Sequence, residues 1–524
     1  MAFPMSHADL KELSLRLRRR IKTLYTLGEP NDPFLAGQPS RTKRANWITD
    51  LLEGMDLPQR VHDRLVHYKL ISQDAPVLQA DDAPYVNSVE CFDTLCESVR
   101  DARYLGLIPA DMIVDRRNPA PTINRVNRDD DDGEVTINDG EVERHTFDRG
   151  YKPPEIELPS TSLWQKPTVG QRYHLEIWIE KSTANDILLP LGREYGINIA
   201  TFIGEVSATA CKNLVDRAIA SNRPVRILYV SDFDPAGRDM PISASVKIDY
   251  FARKSGVDLD IRLETVALTL EQCIEYKLPR TPIKDTEKRA DAFEARFGAG
   301  ATELDALEAL HPGALREILL HHILRFHDPD LADEVSAAVQ EYEDDLESAE
   351  EAIEEQFAEE IKKLNEQRDR IAAAFDRVHG PAKAAYDRIV RLAGARYDRA
   401  LESVREEVDQ MENRLVAEAE PVLAQMKDAL SENLPAPDLP EPAEGDEDDD
   451  ALYDSTRDYV AQVDIFRAHK GRDDNIVLAR HRPRNGVCKF CGKSFIAFSH
   501  RKMFCDENCG RKYVRRDRDP PQAA

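Results

Sequence analysis

The amino-acid sequence predicts an α/β protein built on an open parallel sheet. A mostly α region precedes the sheet, and an α-helical coiled-coil hairpin and a small zinc finger follow it. Three observations predict this. Between residues 173 and 267, short apolar runs alternate with helix-length amphipathic segments, the pattern of βαβ units. From residue 333 to about 430, apolar side chains recur in steps of three, four and seven. Four of the eight cysteines fall in the last forty residues, as two close pairs.

Residues 1–115 read as helical. One segment carries Trp47, Leu51 and Leu52, and a second carries Val61, Leu65 and Tyr68. A third, 88–105, places Cys91, Leu95, Val99 and Ala102 on one stripe behind the N-cap pair Asn87-Ser88. A turn-rich stretch, 74–84, separates the last two. Three short helices with such a turn suit a helix-turn-helix or winged-helix unit, a pattern shared by many small bundles. Residues 116–170 read as a linker, with four prolines between 153 and 167. The acid run Asp129 to Asp132 before Gly133 is not an EF-hand loop, because Arg128 stands where the first ligand belongs.

The α/β domain spans 171–330. Strands are expected at 175–179, 197–203, 225–230 and 259–267, and helices at 184–195, 207–221 and from about Pro241. In the coiled-coil region, 331–430, one arm runs through Leu346, Ile353, Phe357, Ile361, Leu364, Ile371, Phe375 and Val378. The other runs through Tyr397, Leu401, Val404, Val408, Met411 and Leu415. Gly380-Pro381 is the expected break, giving an antiparallel hairpin with arms roughly 70 Å long at ~1.5 Å per residue. One kinked rod pairing with a second chain is the alternative. An acidic, proline-containing linker, 431–478, leads to the zinc finger and basic tail, 479–524.

Composition narrows the function classes. The 524 residues suffice for three or four domains. No apolar run reaches the ~18–20 residues that cross a bilayer, so no membrane association is expected. Arg16, Arg18, Arg19 and Arg20 interrupt the N-terminal segment, which has no secretory apolar stretch. Few cysteines, clustered as metal ligands, suit a reducing compartment and a cytoplasmic location. The net charge is −26, yet it is unevenly spread. Residues 333–360 hold 13 acids and no base, whereas 479–518 hold 12 Lys or Arg against three acids. That asymmetry leaves room for a local surface that faces nucleic acid.

Three carboxylates carry the sharpest chemical signal. Glu180 ends the first strand of the α/β domain, and Asp232 and Asp234 end the third. Strand C-termini line one edge of a parallel sheet, where ligands bind. Residues two apart in extended chain point the same way, so the two aspartates converge while Phe233 turns inward. Glu180 joins them if the strands are neighbours. Hard oxygen ligands of this kind hold Mg²⁺, which stabilises attacking and leaving oxygens in phosphodiester cleavage. The plainer alternative is that Asp-x-Asp before a turn caps the next helix.

Ile179-Glu180-Lys181, Thr201-Phe202-Ile203-Gly204-Glu205 and Ser231-Asp232-Phe233-Asp234-Pro235-Ala236-Gly237 resemble a Toprim domain. The Asp-Phe-Asp-Pro-Ala-Gly form is most similar to the A subunit of type IIB topoisomerases (topoisomerase VI) and its meiotic double-strand-break relatives. Glu303-Leu304-Asp305-Ala306-Leu307 looks like a further stretch of that group. The resemblance covers roughly residues 45–325. It implies a Toprim-like fold, Mg²⁺ on Glu180, Asp232 and Asp234, DNA as partner, a homodimer in which each chain cuts one strand, and a separate ATPase subunit in the topoisomerase relatives. Those relatives also place a nucleophilic tyrosine in a helix-turn-helix domain ahead of the Toprim fold. Tyr68, between His67 and Lys69, is the candidate here, although the family form carries two adjacent tyrosines. A tyrosine packed on an amphipathic helix is the competing explanation; Tyr85 and Tyr104 are weaker candidates. Without a positioned tyrosine the same site would activate water, making a nuclease acting on DNA or RNA.

Cys488-x2-Cys491-x13-Cys505-x3-Cys509 fits tetrahedral Zn²⁺. Arg501, Lys502, Arg511, Lys512, Arg515, Arg516 and Arg518 around it suit phosphate contacts, and a protein-binding finger is the alternative. Gly492-Lys493-Ser494 mimics a P-loop end, but five residues instead of four separate it from Gly486 and it lies inside the finger, so ATP hydrolysis is not expected. His321, His322 and His327 read as packing or surface histidines, and Cys91, Cys96, Cys211 and Cys273 as buried thiols instead of ligands. A non-catalytic DNA-binding or assembly protein remains the reading from another class.

Overall fold

A computed structural model describes residues 6–55, 57–115, 118–144, 151–388, 394–446, 451–471, 484–488 and 491–497. The chain divides into two compact units, one of residues 1–128, 171–328 and 443–524, the other of residues 129–170 and 329–442.

The first unit opens with α1 (His7–Leu17), α2 (Pro39–Glu53), α3 (Asp63–Ile71) and α4 (Val89–Leu105). Helices α2 to α4 share a core that includes Ile48, Leu52, Val66, Leu70, Leu95 and Val99. The expected stripe on α4 is buried, and the Ser88 hydroxyl caps the helix by accepting the Cys91 N–H at 3.2 Å. Helix α3 is phased differently from expectation. It buries Val66, His67 and Leu70, leaving Leu65 and Tyr68 facing solvent. Val61 lies before the helix, bridged to Ile113, so it does not set the helical face. Residues 74–84 close as a small hairpin in which Leu78 pairs with Pro84.

Six further helices and four strands follow: β1 (His174–Ile179), α5 (Asn185–Tyr195), β2 (Asn198–Thr201), α6 (Ala208–Ser221), β3 (Val225–Val230), α7 (Pro235–Ser255), β4 (Ile261–Ala267), α8 (Leu270–Glu275), α9 (Ala290–Phe297) and α10 (Leu304–Leu310). After them come α11 (Ala314–Ile323), β5 (Tyr453–Asp454) and α12 (Tyr459–His469). The sheet order is β2-β1-β3-β4-β5, with the first four strands parallel and β5 antiparallel to β4. Helices α6, α7 and α12 contribute to the core on one face. Helices α5 and α11 contribute to that on the other. Burial on both faces is why the strands read as apolar runs.

Helix α7 starts at Pro235, six residues earlier than expected. Asp234 caps it and Pro235 occupies its first turn, where a missing N–H costs nothing. Pro241 lies inside the helix and deprives the Gly237 carbonyl of its helical donor; the Ser231 hydroxyl donates to that carbonyl at 2.9 Å. A second correction concerns 431–478. This stretch was expected as a linker, yet β5 extends the sheet and α12 buries Tyr459, Val463 and Phe466 in its core.

In the second unit, helices span Leu331–Gln356, Ala358–Arg388 and Gly394–Glu432. Phe357 interrupts the first arm, and the second helix of that arm passes through Gly380 and Pro381, so the expected break is not at those residues. A proline removes one ladder bond, a local cost that a 31-residue packed helix absorbs. Ile353 packs with Met426 and Leu430, while Gln367 donates to Glu418. One index rises as the other falls, so the helices pair antiparallel, as a hairpin. Leu364, Ile371, Phe375, Val404, Val408 and Leu415 form its seam, whereas Val378 is exposed.

The expected linker 116–170 is also corrected. It holds two antiparallel strand pairs, Glu134–Asn138 with Ser160–Gln165 and Glu141–Glu143 with Glu155–Glu157. Tyr151 stacks on Phe375 and donates to Glu412 at 3.0 Å. The acids Asp130 and Asp131 accept the N–H groups of Gly170 and Gly133, at 2.7 and 2.8 Å. Among the described residues, no helix is long and apolar enough to cross a membrane.

Candidate active site

The chain leaves β1 outward to β2 and returns on the opposite side to β3, so a crevice opens between the C-terminal ends of β1 and β3. Ligands bind at such switch points. Glu180 follows β1 directly; Asp232 and Asp234 follow β3. The two strands are adjacent: Ile179 pairs with Val230, and the Glu180 N–H donates to the Val230 carbonyl at 3.4 Å. The neighbourhood on which the carboxylate trio depended is present.

Beyond β3, Ser231 bonds to Ala267 and Leu268 across the next strand, both at 2.7 Å. Phe233 is fully buried, as expected, and exchanges backbone hydrogen bonds with Thr302 at 2.9 and 3.0 Å. Asp234 accepts the Gly237 N–H at 2.5 Å, so the helix-capping alternative is realised for this residue. One cap bond leaves a carboxylate with further acceptor capacity. Gly237 is required by close approach, since a Cβ there would lie 2.2 Å from the Asp232 carbonyl oxygen.

The electrostatics are those of crowded like charges. Burial, then the neighbouring Asp232 and Asp234, pushes the Glu180 carboxyl up to about 7. Its Oε2 is buried and has no hydrogen-bond partner among the described residues. Burial also raises Asp234, against the opposing bond from Gly237. Asp232 is 7% exposed; its Oδ1 accepts the Leu304 N–H at 2.7 Å and its Oδ2 pairs with Lys181 Nζ at 2.8 Å. Lys181 pairs with Glu303 as well and lies 4.0 Å from Asp305, which accepts the Thr183 hydroxyl at 3.0 Å. Burial works to lower the Lys181 ammonium, but Asp232 and Glu303 outweigh it and keep it charged.

Lys181, Glu303 and Asp305 were not picked out as site residues from the residues themselves. The signal was present, since Glu303-x-Asp305 at the start of a helix repeats the spacing of Asp232-x-Asp234. Among the described residues, no group of three or more His, Cys, Asp or Glu side chains is arranged to hold a metal ion as it stands. The orphaned Glu180 oxygen beside two further carboxylates nonetheless fits a hard divalent cation in donor chemistry.

Tyr68 stands on the outer face of α3, 57% exposed, with its ring centroid 5.5 Å from that of His67. It is therefore not a core tyrosine. Among the described residues, no hydrogen bond or ring contact joins it to the acidic site. His67 is engaged elsewhere, with Nδ1 2.7 Å from the Tyr85 hydroxyl. Tyr85 and Tyr104 are buried, which leaves Tyr68 the accessible one of the three.

Cys488 follows strand Arg484–Val487 and Cys491 precedes strand Ser494–Ala497, and the two strands pair antiparallel. The Cys488 N–H donates to the Lys493 carbonyl and the Gly492 N–H to that of Cys488, both at 2.9 Å. Gly492 sits at φ +71°, the left-handed region that suits glycine. Cys505, Cys509 and the basic residues from Arg501 to Arg518 lie outside the described residues. Cys91, Cys211 and Cys273 are buried, and burial holds the Cys211 thiol up at about 12, as befits packing thiols. His327 packs on Tyr195 and is pushed down to about 4 by burial.

Compared with known proteins, the chain matches no family model, and no curated protein matches it.

Proposed function

We propose that this chain is a Mg²⁺-dependent DNA strand-cleaving protein of the Toprim class, a transesterase similar to the topoisomerase VI A subunit. One observation carries the reading: a buried Glu180 oxygen without a partner among the described residues, at a sheet switch point, beside Asp232 and Asp234. Glu180, Asp232 and Asp234 would hold the cation. When bound, Mg²⁺ supplies positive charge against the phosphodiester and its departing oxygen.

The protein's own groups do the rest. Gly237 and Ser231 fix the turn that carries both aspartates. The phenol oxygen of Tyr68 attacks phosphorus and gives its proton to solvent; the phosphorus–oxygen bond to the neighbouring sugar breaks, that oxygen leaves as a hydroxyl by taking a proton from solvent, and the new DNA end stays covalently attached. Helices α2 to α4 with their hairpin would serve as the winged-helix-like DNA-binding region. Residues 277–289 hold five bases against two acids, and their pairing through Thr281 and Ala301 sets this segment beside Phe233 and Thr302. Exposed Lys284 and Lys288 there suit a phosphate backbone better than a small neutral ligand. Zn²⁺ on Cys488, Cys491, Cys505 and Cys509, a homodimer, a cytoplasmic location and a separate ATPase subunit belong to the same proposal.

A second reading is a Toprim nuclease that cuts DNA or RNA with water; among the described residues no contact joins Tyr68 to the acids, which favours it. A third is a non-catalytic DNA-binding or assembly protein built on the hairpin and zinc module. Incubation of supercoiled plasmid with the full chain and Mg²⁺, analysed before and after protease digestion, separates them. Ends attached to protein in the wild type but not in Tyr68→Phe support the transesterase. Free ends mean a nuclease, and binding without cutting means an assembly protein. Asp232→Ala is expected to abolish cleavage while fold and zinc content persist; retained cleavage would sink the metal-site reading.

A further inference from the structure

We infer that Lys181 is the resident counter-ion of the acidic site, an ammonium that ties Asp232 to the Glu303 segment and must leave Asp232 when a divalent cation binds. This rests on Glu180, Asp232 and Asp234 being the ligands. Lys181 follows Glu180 directly, and the turn Ser182–Ala184 then carries the chain away. The side chain reaches across the strand ends to Asp232 Oδ2 at 2.8 Å, to Glu303, and to within 4.0 Å of Asp305. Those carboxylates come from two segments about 70 residues apart, so one ammonium pins two loops together.

The competition follows from which oxygens are taken. Asp232 Oδ1 is committed to the Leu304 N–H. Oδ2 is the oxygen left for a cation, and Lys181 holds it. Two cations on one carboxylate oxygen repel at contact distance, so metal and ammonium exclude each other there. Lys181 has somewhere to go: its side chain is 26% exposed, and Glu303 and Asp305 are largely exposed at the rim. Release from Asp232 would leave the ammonium on the Glu303 side, opening the Glu180–Asp232–Asp234 face. Lys181 is thus a positioning residue whose charge lowers metal affinity in exchange for a site that is assembled beforehand.

The test is Mn²⁺ binding to the full chain, followed by calorimetry and by the electron paramagnetic resonance of free Mn²⁺. Lys181→Met is expected to bind about tenfold more tightly than the wild type, because a competing positive charge is gone. Lys181→Arg keeps the charge and should stay near or below wild-type affinity. Asp232→Asn should lose the site. Unchanged or weaker binding by Lys181→Met, with the Asp232-dependent site intact in the wild type, overturns the counter-ion role and leaves the metal reading standing. Equal binding by the wild type and Asp232→Asn overturns both.

A second measurement needs no variant. Acylation of Lys181 by a succinimidyl ester, read by peptide mass spectrometry against exposed Lys284, should accelerate several-fold when Mg²⁺ is added. An equal or slower rate with Mg²⁺ refutes displacement.

Discussion

Glu176 and Glu180 lie four residues apart along the same strand line and have opposite surroundings. Burial alone would raise the Glu176 carboxyl, but Arg217 and His174 outweigh it and hold it down at about 2. Arg217 grips it with two bonds of 2.7 and 2.8 Å, His174 stands at 3.0 Å and the Trp178 N–H donates at 2.8 Å. Glu180 is pushed up to about 7 and keeps one oxygen without a partner. A carboxylate inside the sheet is saturated by its own protein and has nothing to offer a ligand. One at the sheet edge is left in deficit, and that deficit is what a cation can fill.

The contrast can be broken most severely at its saturated end. Glu176→Ala leaves a largely buried guanidinium without a counter-charge and should destabilise by about 3–5 kcal/mol in urea unfolding. A loss below about 1 kcal/mol would mean the two ends do not differ. The pH dependence comes next. The folded Glu176 carboxyl at about 2 lies below its usual 4.5, so its contribution is present above about pH 4.5 and lost as pH falls toward 2. That contribution is on the order of 3 kcal/mol, and Glu176→Gln should flatten the acid side of the melting curve.

At the other end, Gly237→Ala would push a methyl group into the Asp232 carbonyl and should cost about 1–3 kcal/mol, with metal-dependent cleavage falling more than stability. A stability effect of the opposite sign is expected for Glu180→Gln. Its folded carboxyl is raised to about 7, so charging it costs stability as pH rises from about 4.5 through 7. At pH 8 the amide should therefore be more stable than wild type, by up to about 3 kcal/mol, while cleavage is lost. Destabilisation as large as that of the Glu176 variant would erase the distinction.

Much of the sheet was legible because parallel strands buried on both faces are apolar runs, as in Val225–Val230. The first charged residue past such a run stands at the rim, which is why Glu180, Asp232 and Asp234 were located. Helix phase was less legible where the chain enters a helix late. Val61 belongs to a bridge before α3, so counting from it rotated Leu65 and Tyr68 onto the wrong face. The break expected at Gly380-Pro381 is absent because Pro381 is tolerated in a long packed helix, while the interruption of that arm at Phe357 carries no breaker signature. The strand pairs within 129–170 were hidden by short lengths and flanking prolines.

By itself the sequence determined what is local: the apolar strands, the cap at Ser88, the glycine that Asp232 demands, and a carboxylate waiting after each of two strands. Tertiary structure decided what is distant: that those two strands are neighbours, that Tyr453 returns to the sheet edge, and that Lys181 meets a glutamate 122 residues away. The physical reason is range. Periodicity and capping act within a turn or two of chain, whereas an ion pair across strand ends exists only after the whole sheet has chosen its order.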